Sequence, residues 1–251
     1  MTELTPLVAA QTLLVGAAAA AINAVAGGGS LISFPFVAHS LGLGEVRGNA
    51  TNAVGLWPGA LTGALAFRLD ETARAALKRL GPPTAVGAIL GAWLLTRTPE
   101  SLFEAIVPWL ILVAAAMLFL QPKIRSLVGA ERKLPFPAAM AVQFLVALYG
   151  GYFGAGMGLM MLAVLALLME GTIHVLNGVK NWLGLIINFV GSGYFLVVGL
   201  VRVEVALLLV IGSLVGGYAA GRYSQRVDAE KLRLAVAIYG VGMAAYFWIR
   251  R

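Results

Sequence analysis

Ala26-Gly27-Gly28-Gly29-Ser30 interrupts an apolar run that begins at Pro6, and Gly154-Ala155-Gly156-Met157-Gly158 interrupts a second run that begins at Pro135. Glycine inside a helix is destabilising by about 1 kcal/mol relative to alanine, so three in succession predict a break. Without Cβ atoms the backbone can turn sharply there and leave N–H groups facing a ligand. The apolar stretches that follow, 30–43 and 158–170, are too short to cross a bilayer at 1.5 Å per residue and predict half-helices. A half-helix N-terminus carries partial positive charge and unpaired donors. Non-helical backbone at membrane depth survives only where protein or a water-filled cavity covers it. Two such tips meeting near the midplane would form an anion site.

Composition supplies the membrane. Of 251 residues, 60% are hydrophobic and 12% charged, against roughly 25% charged in a soluble domain, which excludes a soluble fold. At about 20 residues per helix the apolar content covers seven or eight crossings. The runs are long and unbroken, which excludes a β-barrel with its alternating segments of about ten residues. The net charge of +7 comes from 18 Lys and Arg that concentrate in three short loops, leaving no basic, aromatic-interleaved surface for nucleic acid. With no cysteine, disulfides and thiol chemistry are excluded. Met1 to Thr5 carries Glu3 and no basic residue, so the first run reads as a retained helix rather than a secretory signal.

Apolar runs fall near 6–26, 30–43, 46–67, 81–96 and 102–121, and again near 135–153, 158–170, 175–199, 203–221 and 232–249. Adding 129 to a residue number superposes the two sets: Pro6 on Pro135, Gly27 and Gly29 on Gly156 and Gly158, Val46 on Val175, Asn52 on Asn181, Gly55 on Gly184, Gly87 on Gly216 and Arg97 on Arg226. The expected fold is therefore all-α and polytopic. Residues 1–121 form the first transmembrane repeat, 122–134 a basic cytoplasmic linker and 135–251 the second repeat, each with about four full helices and a half-helix after its Gly-rich break. Internal repeats of this kind are common in secondary transporters.

The basic loops bear on orientation. If each break is a hairpin returning the chain to the side it came from, the loops around Arg68–Arg79, Lys123–Lys133 and Arg222–Arg233 share one face. Together with Lys180 they then place 13 of the 18 basic residues in the cytoplasm and leave Arg47, Arg97, Arg202, Arg250 and Arg251 outside. A chain running straight through the breaks gives 11 against 7. The hairpin reading is preferred; it makes the repeats inverted and both termini external.

Asn49, Thr51 and Asn52 open the third segment, and Asn177, Lys180 and Asn181 stand near the repeat-related positions. Amides and hydroxyls donate to oxyanions, and Lys180 adds a full positive charge. A Lys within a membrane helix costs about 2.5–3.5 kcal/mol on insertion scales, so it faces a partner, a cavity or the interface. The alternatives are a snorkelling role for Lys180, and capping or interhelical bonding for the asparagines, Asn188 included. Gly55, Gly59 and Gly63, Gly87 and Gly91, and Gly212 and Gly216 fit small-residue packing contacts. His39, His174, Glu45 and Glu170 read first as interfacial loop residues and second as carriers of a coupling proton. No nucleophile with its base, metal-ligand cluster, P-loop or dinucleotide fingerprint occurs, so no enzyme activity, cofactor or metal is expected.

The stretch Asn23-Ala24-Val25-Ala26-Gly27-Gly28-Gly29-Ser30, followed by Gly48-Asn49-Ala50-Thr51-Asn52 and Pro58-Gly59, resembles the sulfite exporter TauE/SafE family of bacterial membrane proteins. The second break followed by Asn177 to Asn181 sits where that family has its second signature. The likeness extends over essentially the whole chain. It implies a multi-pass inner-membrane transporter, without cofactor, exporting a small anion such as sulfite or an organosulfonate. It departs at Ala53, where many relatives carry Lys. The candidate substrate-binding set is Gly27, Gly28, Gly29, Ser30, Asn49, Thr51, Asn52, Gly156, Gly158, Lys180 and Asn181. Its partners would be that anion and the lipid bilayer, and a homo-oligomer is compatible with the sequence. A carboxylate transporter and a non-transporting accessory subunit are the competing readings.

Overall fold

The computed structural model describes residues 3–65, 69–127, 135–223 and 227–249. All regular structure among these residues is helical: α1 (Pro6–Val25), α2 (Ser30–Pro35) continued by a π-helical turn (Phe36–Ser40), α3 (Glu45–Leu65), α4 (Glu71–Arg97), α5 (Glu100–Ser126), α6 (Phe136–Tyr152), α7 (Met157–Leu168), α8 (Ile173–Val197), α9 (Val203–Tyr223) and α10 (Ala229–Ile249). Both broken segments stand where the glycines predict them. Among the described residues four helices, α1, α5, α9 and α10, are long and apolar enough to cross a membrane by length and composition. The surface suits lipid: Leu7, Leu14, Phe189, Val197, Val215 and Ile249 are exposed, whereas Thr12, Ser33, Thr84, Gln143 and Ser213 are buried.

Helix starts follow local chemistry. Thr5 caps α1 by accepting from the Val8 N–H at 3.3 Å, with Pro6 pre-set for the first turn. Thr172 caps α8 through the Val175 N–H. Asp70 caps α4 through the Ala73 N–H at 2.7 Å, so that helix begins at Glu71 rather than near 81. Its first turns, with Lys78 and Arg79, are therefore helical and not loop; Ala73 and Leu80 on them are buried, which is why the turns form despite the charges. Likewise α5 runs to Ser126, so residues 122–126 of the expected linker are helical. Of the remaining basic loop residues, Arg68, Arg132, Lys133 and Arg226 lie outside the described residues, as do Arg250, Arg251 and the side chains of Arg125 and Arg222.

Packing interleaves the halves. The first helix of each half lies against the fourth helix of the other: α1 on α9, and α6 on α4. Small residues permit this, because a Cβ on Gly212 or Gly216 would overlap backbone oxygens of Leu13 and Ala17, and one on Gly87 or Gly91 would overlap those of Phe144 and Leu148. The third helices, α3 and α8, pack on each other, as do the fifth helices, α5 and α10. Shifting every label by the 129-residue offset leaves this set of contacts unchanged.

Candidate functional site

The first break closes α1 when the N–H groups of Ala26 and Gly27 both donate to the Ile22 carbonyl, at 2.8 and 3.0 Å. Gly27 and Gly28 then take left-handed backbone, each with φ +81°. Gly29 differs: it is right-handed, with φ −54°, and caps α2. Its lack of a Cβ serves proximity, since a Cβ there would overlap the Ala19 carbonyl oxygen. Ser30, half-buried, opens α2. At the second break Phe153 and Gly154 donate to the Tyr149 carbonyl, and Gly154 and Gly156 are left-handed at φ +80° and +77°. The Tyr149 hydroxyl donates to the Ala155 carbonyl at 2.6 Å and holds the loop from inside.

Both breaks rest on α5. A Cβ on Gly28 would lie 2.7 Å from Leu118 Cδ1, and one on Gly156 would lie 3.1 Å from Ala114 Cα. Those α5 residues are one turn apart, about 6 Å along the axis, and within about 9 Å of the middle of the Glu100–Ile124 span. The halves also touch directly, through a T-shaped contact between Phe34 on α2 and Phe153 at the second break, with centroids 5.4 Å apart. The two breaks therefore meet the same stretch of α5 and each other.

The polar candidates divide. Asn49 is buried and its Nδ2 donates at 2.8 Å to the carbonyl of Tyr152, the last residue of α6 before the second break. Lys180 is half-buried; its Nζ donates to Asn177 Oδ1 at 2.8 Å, and its Cδ is 3.9 Å from where a Cβ on Gly158 would sit. Asn49, Gly156, Gly158 and Lys180 are thus gathered around the second break. Asn181 follows, half-buried, on α8. Asn52 is buried with its Oδ1 lacking a hydrogen-bond partner in the structure. Thr51 is engaged elsewhere: its hydroxyl oxygen accepts from the Arg202 N–H at 3.1 Å, tying α3 to the start of α9.

The structure adds residues that sequence reasoning left outside the set. A cavity of about 10 Å³, room for one water-sized sphere, lies between α3, α6 and α8 with Asn49, Gly151, Asn188 and Ser192 on its wall. Asn188 Nδ2 donates to the Gly184 carbonyl at 2.9 Å, and the buried Ser192 hydroxyl has no partner in the structure. Lys180, Gly184, Asn188 and Ser192 recur every four residues and so share one face of α8. That spacing was the available signal.

Glu45 and His39 are not simple loop residues. Glu45 is 6% exposed, and its Oε1 is 3.6 Å from His39 Nε2. Carboxylate oxygens of Glu45, Glu100 and Glu104 lie within 4.8 Å of one another. One Glu100 oxygen accepts from the N–H groups of Glu45 and Val46, the latter at 3.1 Å, so α5 caps α3. With Glu100 committed to these amides, the cluster reads as a structural cap. Glu170 and His174 are exposed.

A family model described as Sulfite exporter TauE/SafE matches residues 12–247. The "Probable membrane transporter protein ORF9" of Sinorhizobium sp is 28% identical over 228 residues, 89% of this chain and 85% of that protein. The "Probable membrane transporter protein YfcA" of Escherichia coli K12 is 24% identical over 248 residues, 96% of this chain and 89% of its own. A "Probable membrane transporter protein" of Haemophilus influenzae is 23% identical over 232 residues, covering 92% and 91%. No solved structure matches at a significant level.

Proposed function

Because the chain belongs to the sulfite exporter TauE/SafE family and is a membrane transporter, we propose that it exports a small oxyanion, sulfite or an organosulfonate, across the inner membrane. In this reading the two halves are inverted repeats that rock against one another, giving alternating access to a site at their broken helices. The sequence carries no ATP-binding motif, and ion or substrate gradients drive the cycle. The observation that carries the reading is the meeting of both breaks on one turn of α5, with the Lys180 stem beside Gly158.

The chemistry supports an anion. Left-handed Gly154 and Gly156 turn the chain into the start of α7, and the helix end contributes partial positive charge. Lys180 contributes a full charge, and Asn49, Asn52, Asn181 and Asn188 contribute amide dipoles. Such a site discriminates by charge and size rather than by apolar shape.

A thermal-shift series on the purified protein tests the substrate class, since a ligand that binds only the folded state raises the midpoint. Sulfite and sulfoacetate are expected to raise it, and taurine and simple carboxylates to raise it less. A shift with carboxylates alone would replace the sulfur-oxyanion assignment by a carboxylate one.

A further inference from the structure

The first break opens on a cavity outside the site just described. Its volume is about 390 Å³, and its wall includes Val25 and Ala26 at the end of α1, Gln121 on α5, and Glu230 and Arg233 on the first turns of α10. At about 30 Å³ per liquid water, that volume holds roughly a dozen waters, ample for a small hydrated anion. Gln121 is 7% exposed. The Arg233 side chain is only 14% exposed, although it belongs to the polar first turns of its helix, and its Nη2 is 3.6 Å from Glu230 Oε1. Glu230 itself is 81% exposed.

These features suit capture and release. At 3.6 Å the pair is too long for a strong hydrogen bond, and an exposed partner screened by solvent holds the guanidinium weakly. A guanidinium carries five donors in a planar fork that matches two oxygens of one oxyanion. An anion entering the cavity can therefore replace Glu230 on Arg233 at little expense. The cavity adjoins Ala26, and the left-handed Gly27 and Gly28 follow immediately.

We infer that the Arg233 cavity is a second oxyanion site, a vestibule in which the substrate binds before it passes the first break, with Glu230 as its built-in competitor. The inference rests on the reading of the substrate as a small oxyanion. A lipid headgroup phosphate shares that chemistry, so the test separates the two sources.

The experiment is equilibrium binding of sodium sulfite to the purified full chain in a maltoside detergent, for wild type, Arg233→Gln and Glu230→Gln, with short-chain phosphatidic acid as a parallel probe. Wild type is expected to show two sulfite sites; Arg233→Gln is expected to weaken one of them at least tenfold and leave the other, and Glu230→Gln to strengthen that same one several-fold. The gain in Glu230→Gln is a result that misfolding cannot imitate. Sulfite bound equally by all three proteins would overturn the vestibule while leaving the transport reading intact. No sulfite binding to wild type would overturn the transport reading itself. Phosphatidic acid binding that depends on Arg233, without any such dependence for sulfite, would reassign the cavity to lipid.

Discussion

Phe34 and Phe153 meet in a T-shaped contact, with ring centroids 5.4 Å apart. One belongs to the half-helix after the first break and the other to the second break, so this pair links the two broken segments directly. Phe34 is 1% exposed and also stacks on Phe247 at 6.0 Å. Phe34→Ala would remove both contacts and leave a cavity, at about 3–5 kcal/mol. The measurement is the thermal midpoint in detergent, expected to fall clearly, with Phe34→Leu intermediate.

Gly29 and Gly158 are offset-related but held by different constraints. A Cβ on Gly29 would overlap the Ala19 carbonyl oxygen, whereas one on Gly158 would meet nothing nearer than Lys180 Cδ at 3.9 Å. Gly29→Ala is expected to abolish accumulation of folded protein. Gly158→Ala, inside α7, is expected to accumulate normally and to gain about 0.5–1 kcal/mol from the better helix former. Monodisperse yield on size-exclusion chromatography distinguishes them, and equal yields would refute the packing argument.

Asn49→Leu removes the donor to the Tyr152 carbonyl. Leaving a buried acceptor unpaired costs about 1–3 kcal/mol, and it loosens the end of α6 where the second break begins. Thermal stability is expected to fall by that order, and anion flux to fall further than stability alone explains. A fully active, stable Asn49→Leu protein would remove Asn49 from the site.

Glu100 caps α3 from another helix, and Gly44, with φ +78°, lets the carboxylate approach: a Cβ there would be 2.7 Å from Glu100 Oε1. Glu100→Ala should cost about 1–2 kcal/mol, as for loss of a side-chain cap, and Glu100→Gln, which keeps an acceptor, should cost less. Denaturation midpoints of the two variants report the difference.

Much of this was legible in the chain, for local reasons. Glycine triplets and half-length apolar runs are local signals, and both breaks appear where those signals put them. The start of α4 was obscured because Lys78 and Arg79 look like loop residues until the Asp70 cap and the burial of Leu80 are seen together. Gly29 looked like part of the turn, but its neighbour Ala19 is brought close only by the reversal of the chain. Thr51 looked like a ligand donor, yet its partner Arg202 lies 151 residues away. Ser192 lay on a legible stripe of α8, but the cavity it faces also needs Asn49 and Ala53 of α3. Arg233 read as one of the loop charges, and only the fold sets it beside Val25, Ala26 and Gln121.

The most direct test of the account is sulfite flux into and out of proteoliposomes containing only the purified protein, comparing wild type with Lys180→Gln at equal reconstituted amounts. The account predicts saturable flux through wild type and at least a tenfold loss in Lys180→Gln, with partial recovery in Lys180→Arg. Undiminished flux in Lys180→Gln would contradict the placement of the anion beside the second break.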